Sequence, residues 1–147
     1  MQIGSLLVAL QFGLIFLLAA LAAPKVWRAM VPVGAVMLVA ISVALAAWTL
    51  MHNRLGNFNI RPTPKAQGSL VTTGPYRWIR HPMYTSVLLG AGALAWTSST
   101  AAGWLAWAAL AIVLLVKSIL EERWMREQHA GYAAYALQSK RFLPWVF

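Results

Sequence analysis

The chain contains no cysteine and no aspartate, and it sets only three glutamates against twelve lysines and arginines. Without cysteine there is no disulfide, no thiolate metal site and no cysteine nucleophile. His52, His81 and His129 are scattered along the chain, so no metal-ligand set is expected from them and the glutamates. Charge is scarce as well. Charged residues make up 10% of the 147 positions, hydrophobic residues 61%, and the mean hydropathy is +0.66. That composition excludes an ordinary soluble domain and fits an integral membrane protein. The length suggests a single domain over residues 1–147. A net charge of +9 in a soluble chain would point to nucleic acid. Here the basic residues lie between and after apolar runs, which reads as membrane topology and anionic headgroups, with no nucleic acid partner.

The expected fold is all-α and polytopic, with about four membrane segments. The first runs from about Ile3 to Ala23 and the second from about Met30 to Leu50, each long enough to cross a ~30 Å hydrocarbon core. Ala20-Leu21-Ala22 resembles a signal cleavage site, but no basic stretch precedes the run, so a retained helix is expected. The third segment, from Met83 to about Trp96, is short, and the fourth runs from Trp104 to Leu120. These two read as a helical hairpin closed by a Ser/Thr/Gly turn. The short third helix is expected to be tilted, re-entrant or partly buried in protein. Frequent alanine and glycine, including Gly90 and Gly92, suit close helix contact and leave a homodimer as an open expectation. Residues 1–51 then form two N-terminal helices, and residues 52–147 a polar-rimmed core.

Two polar regions remain, a loop from His52 to Pro82 and a tail from Glu121 to Phe147. With four spans both lie on the side of the N-terminus. They carry Arg54, Arg61, Lys65, Arg77, Arg80, Arg123, Arg126, Lys140 and Arg141, while the opposite side has only Lys25 and Arg28. The positive-inside bias puts termini and polar regions in the cytoplasm. In the tail, aromatic residues alternate with charges, and helical spacing reaches about Leu137 with Gly131 as a weak point. An interfacial aromatic belt is the plain reading of this amphipathic segment. A lid over a site is the functional one.

The stretch GPYRWIRHPMY, Gly74 to Tyr84, holds two arginines, a histidine, two tyrosines and two prolines at the mouth of the third segment. Pro82 suits the first turn of a helix, which sets His81 at its electropositive end beside Arg80, Tyr76 and Tyr84. That arrangement suits an anion. All three glutamates fall within Glu121–Glu127 at the end of the fourth segment. Ionisable residues near membrane depth are functional candidates, although Glu121 and Glu122 also suit plain pairing with nearby arginines. Carboxylates suit hydroxyls or an ammonium, and aromatic rings suit a base or a sulfonium. S-Adenosylmethionine combines these features. A nucleotide or a lipid headgroup also fits.

The series LVTTGPYRWIRHPMY, then the Glu121-Glu122 pair, then GYAAYALQSKRFLP resembles the isoprenylcysteine carboxyl methyltransferase and phospholipid methyltransferase family over Gly68 to Pro144. The resemblance implies an integral membrane enzyme, in size like a prokaryotic inner-membrane member, that binds S-adenosylmethionine from the cytosolic side. It implies cofactor contacts from Ser69, Leu70 and Val71, from Tyr76, from His81, Pro82, Met83 and Tyr84, and from Glu121 and Glu122. His81, Tyr84 and Glu122 would be the catalytic groups, with Lys117 and Arg80 toward the substrate. Lys117 stands where eukaryotic members have arginine, and lysine lacks arginine's bidentate grip on a carboxylate. The acceptor would be an isoprenylcysteine-like carboxylate, a phospholipid amine or a thiol. Two alternatives stay open: an NADPH-dependent membrane sterol or steroid reductase, and a non-enzymatic membrane subunit.

Overall fold

The computed structural model describes residues 2–53 and 69–146. The basic loop residues Arg54, Arg61 and Lys65 lie outside them. The described residues form an all-helical protein of five helices: α1 (Gln2–Trp27), α2 (Val33–His52), α3 (Pro82–Ser98), α4 (Ala101–Gln128) and α5 (Tyr132–Gln138). A short 3-10 turn spans Gly74–Arg77. The all-α architecture agrees with the expectation from sequence.

Among the described residues, three helices are long and apolar enough to cross a membrane: Ile3–Trp27, Val33–His52 and Ala101–Gln128, with mean hydropathies of 2.6, 2.3 and 2.0. Helix α3 has 17 residues. It therefore rises only about 25 Å, short of a ~30 Å core. Its surroundings explain how it can be short. It packs against α1, α2 and α4 at once. Its buried positions are almost all small, among them Ser86, Ala91, Gly92, Ala93 and Ala95. Small residues let three neighbours approach the α3 backbone closely. Ser42 of α2 donates to the Ser86 carbonyl at 2.7 Å, and the Trp107 indole of α4 donates to the Leu88 carbonyl at 2.9 Å. Leu18, Leu110 and Leu114 close the apolar core against Ala91 and Ala95.

The α3–α4 hairpin turns in two residues. Ser99 adopts a left-handed φ of 52°, and the Thr100 side chain accepts from Gly103 N at 3.1 Å as the N-cap of α4. Helix α4 runs eight residues past the expected end at Leu120. Counting from Ala101, Glu121 lies about 30 Å along the helix axis, at the edge of a hydrocarbon core. The chain then breaks at His129 and Gly131, and α5 folds back.

Candidate active site

The C-terminal end of α2, the 3-10 turn, the start of α3, the end of α4 and the tail converge at one end of the bundle. Gly74 opens the turn at φ +61°. A Cβ there would sit 2.4 Å from the His52 ring. Only glycine satisfies both the backbone and the close approach. The chain then passes the Trp78 ring, 5.8 Å from Trp48 of α2, and reaches His81, the residue ahead of α3.

Glu122 is the hub of the cap. Its side chain is 1% exposed. Arg80 Nε and Arg141 Nε each donate to its Oε1 at 3.0 Å, and Arg141 Nη2 donates to Oε2 at 3.1 Å. His81 Nε2 donates to Oε1 at 3.2 Å, and Arg126 Nη2 approaches Oε2 at 3.5 Å. A carboxylate offers about four lone-pair positions, and these donors fill them. Removing one partner of such a buried cluster leaves uncompensated charge. For Arg141, the Glu122 hydrogen bond outweighs partial burial and raises the guanidinium pKa further.

Glu121, its neighbour in sequence, is turned outward. Adjacent helical residues point about 100° apart, so one carboxylate faces the interior and the other the rim. The Glu121 side chain is 34% exposed. Its Oε2 accepts from Tyr84 OH at 3.0 Å and lies 3.6 Å from His81 Nδ1. The His81 and Tyr84 rings lie parallel, 5.3 Å between centroids. One turn inward on α4, Lys117 is 1% exposed. Its Nζ lies 5.3 Å from the Tyr84 ring centroid and donates to Gln11 Oε1 of α1 at 2.5 Å.

The tail is docked on this site and does not lie apart from it as a simple interfacial belt. Residues 78–81 and 140–141 pair in a short parallel bridge: Lys140 N donates to Trp78 O at 2.9 Å, Arg80 N to Lys140 O at 2.7 Å and His81 N to Arg141 O at 3.1 Å. Arg80 Nη1 donates to the carbonyls of Ala136, at 3.0 Å, and Ser139. Thr85 donates to the Phe142 carbonyl at 2.8 Å, and the Phe142 ring lies 6.0 Å from His81. Tyr135 OH donates to the Tyr76 carbonyl at 2.7 Å, while Asn53 donates to Tyr76 OH at 2.9 Å. Burial raises the phenol pKa of Tyr76 and Tyr132 well above the ordinary range and pushes Tyr135 up to about 12.

The residues singled out in the sequence thus occupy different places. His81, Tyr84, Glu121 and Glu122 come together in one cluster. Tyr76 borders it, near enough that the Glu121 charge opposes its ionisation. Arg80 is turned inward onto Glu122 and the tail carbonyls. Pro82 is buried in the first turn of α3, and Ser69, Leu70 and Val71 lie in irregular chain leading into the 3-10 turn. Met83 faces elsewhere: it lines a groove of about 440 Å³ between α1, α2 and α3, with Ile15, Ser42, Ala46, Val87 and Leu94. Sequence reading missed Arg141, Asn53 and Gln11 as site residues. Arg141 stood inside the quoted tail motif, but nothing in the sequence tied it to Glu122. Among the described residues no three His, Cys, Asp or Glu side chains gather as a metal site.

Comparison with known proteins adds the family context. A family model described as phospholipid methyltransferase matches residues 30–131. A curated relative, the cobalt-zinc-cadmium resistance protein CzcN of Cupriavidus metallidurans, is 36% identical over 83 residues, covering 54% of this chain and 38% of the relative. The chain therefore spans about two fifths of that relative's length. No solved structure matches the chain. The family match holds α2, α3, α4 and the His81–Tyr84–Glu121–Glu122 cluster, and it leaves out α1 and Arg141.

Proposed function

Because this integral membrane chain belongs to the phospholipid methyltransferase family, we propose that it transfers a methyl group from S-adenosylmethionine to a lipophilic acceptor at the polar end of its helix bundle. One observation carries the reading. A reachable carboxylate, Glu121, and the parallel His81–Tyr84 rings stand on a saturated ionic base, and Met83, between those two rings in sequence, lines an apolar groove between α1, α2 and α3.

The donor set suits the cofactor. Glu121 offers acceptor oxygens to an ammonium or to ribose hydroxyls, and the rings of His81, Tyr84 and Tyr76 offer flat faces to a base or a sulfonium. The irregular chain at Ser69, Leu70 and Val71 would supply backbone groups. When bound, S-adenosylmethionine supplies an electrophilic methyl group, which an acceptor nucleophile displaces in line. The protein's share is then positioning and exclusion of water. Glu122 has its lone pairs engaged, so its role is to hold His81, Arg80 and Arg141, not to take a substrate proton. With Nε2 committed to Glu122, His81 presents Nδ1 beside Glu121. That nitrogen is the group to take a proton from an amine acceptor. A carboxylate or thiolate acceptor needs no base. The acceptor's chain would lie along the groove from Leu94 to Met83, its head toward Tyr84. The excess of lysine and arginine at the cap supports a cytoplasmic face for this site.

The test is methyl transfer by the purified full chain from tritiated S-adenosylmethionine. The acceptors are phosphatidylethanolamine vesicles, N-acetyl-S-farnesylcysteine and a lipophilic thiol. Label in one extracted acceptor, reduced at least tenfold in Tyr84→Phe/Glu121→Gln, is the expected result. No label in any acceptor and no binding of S-adenosylhomocysteine would overturn the proposal.

A further inference from the structure

Helix α1 lies outside the residues matched by the family model, yet it reaches the site. Gln11 is 8% exposed, in the most apolar of the membrane-crossing helices. Burying a primary amide there is costly unless the amide is bonded. Its partner is Lys117, whose ammonium is itself 1% exposed and must find acceptors inside the protein. The Gln11 carbonyl is one, at 2.5 Å. The same ammonium lies 5.3 Å from the Tyr84 ring centroid, and Tyr84 OH is bonded to Glu121. Ile15, one turn along α1 from Gln11, lines the groove, as does Met83, the neighbour of Tyr84 in sequence. So α1 supplies both a wall of the groove, at Ile15, and an acceptor for the ammonium beside Tyr84, at Gln11.

We propose that Gln11 is a positioning residue of the acceptor side of the site, acting through Lys117. A lysine stem has four rotatable carbons, and its charge is a point charge without a fixed direction. The Gln11 carbonyl selects one placement, against the Tyr84 ring and below the rim. The acceptor head then meets a fixed cation and a fixed phenol. Cofactor binding, which falls to Glu121 and its surroundings, does not pass through Gln11. The inference rests on the methyl-transfer reading for its kinetic part and on the Gln11–Lys117 contact for its structural part.

The experiment uses the full chain in detergent. Thermal midpoint, S-adenosylhomocysteine Kd and acceptor KM and kcat are measured for wild type, Gln11→Leu, Gln11→Glu, Lys117→Met and Gln11→Leu/Lys117→Met. The acceptor is whichever of N-acetyl-S-farnesylcysteine or phosphatidylethanolamine vesicles the wild type methylates. Gln11→Leu is expected to raise acceptor KM about tenfold and leave the cofactor Kd within about twofold. Gln11→Glu, which keeps an acceptor oxygen, should bring KM back to within about threefold of wild type. The double variant should have a higher midpoint than Gln11→Leu, because it no longer buries an ammonium without that acceptor. An acceptor KM that does not move in folded Gln11→Leu would overturn the inference while methyl transfer stands. Midpoint changes that simply add would overturn the coupling itself. Absence of transfer by the wild type would overturn the methyl-transfer reading and the kinetic claim with it.

Discussion

Between Ile15 and Leu110 the bundle is held by leucine, alanine and glycine pressed onto the α3 backbone. Between Tyr76 and Phe142 it is held by a carboxylate with two buried or half-buried arginines and a histidine around it. The first region can absorb modest changes, because its contacts are many and each is weak. The second concentrates its stability in a few desolvated charges, and each is costly to leave alone. The proposed methyl transfer, with its acceptor from the bilayer and its polar cofactor from water, would use both: a smooth apolar approach and a rigid polar rim.

The comparison is broken most severely at Glu122. Glu122→Ala leaves Arg80, Arg141 and His81 without their shared acceptor, and about 3–5 kcal/mol of stability should be lost. Detergent-phase thermal unfolding and limited proteolysis of the tail check this. The expected signature is cleavage near Arg141 before the helices melt. A smaller loss, about 1–3 kcal/mol, is expected for overpacking α3 with Ala95→Leu, since Ala95 is fully buried. Its tail should stay resistant to protease, which separates the two regions. Tyr135→Phe removes the bond to the Tyr76 carbonyl and should cost about 1 kcal/mol.

The cap tyrosines sharpen the contrast through pH. The unfolded chain gives up its phenol protons near pH 10. The folded chain holds them longer, to about 12 for Tyr135. Their contribution is therefore complete below about pH 10 and is lost as the pH rises toward 12. The thermal midpoint should be flat from pH 8 to 9.5 and fall above 10, with a shallower fall in Tyr135→Phe. The smallest effect is expected at the exposed Arg123–Glu127 pair, 3.9 Å apart and more than half exposed on both sides. Arg123→Ala should change stability by less than about 1 kcal/mol.

Much of this was legible in the sequence, and the particular misses have physical causes. Apolar runs of membrane length mark α1, α2 and α4, and the Pro82 signal marks the start of α3. The GPYRWIRHPMY stretch and the glutamate pair mark the cap, because polar and rigid residues crowd into it where the rest of the chain is apolar. The different fates of Glu121 and Glu122 were not legible. They depend on which side of α4 faces α3, and neighbouring residues on a helix share every other sequence property. Arg141 was hidden for a related reason, since its bond to Glu122 forms only after α5 folds back. Gln11 was the hardest to see: one amide in an apolar run has no motif around it, and its meaning comes from Lys117, 106 residues away. The docked tail was underestimated because alternating aromatics and charges suit a membrane interface and a protein surface equally.

The measurement that tests the central claim most directly is calorimetric binding of S-adenosylhomocysteine to the detergent-purified chain, beside Glu121→Gln with Glu122 left intact. Glu121 accepts from Tyr84 at the rim and is not part of the ionic base, so the variant should keep its fold and its thermal midpoint. Micromolar binding by the wild type, weakened at least tenfold in the variant at an unchanged midpoint, is the predicted result. Equal binding by both proteins, or none by folded wild type, would contradict the assignment of this cap as the cofactor site.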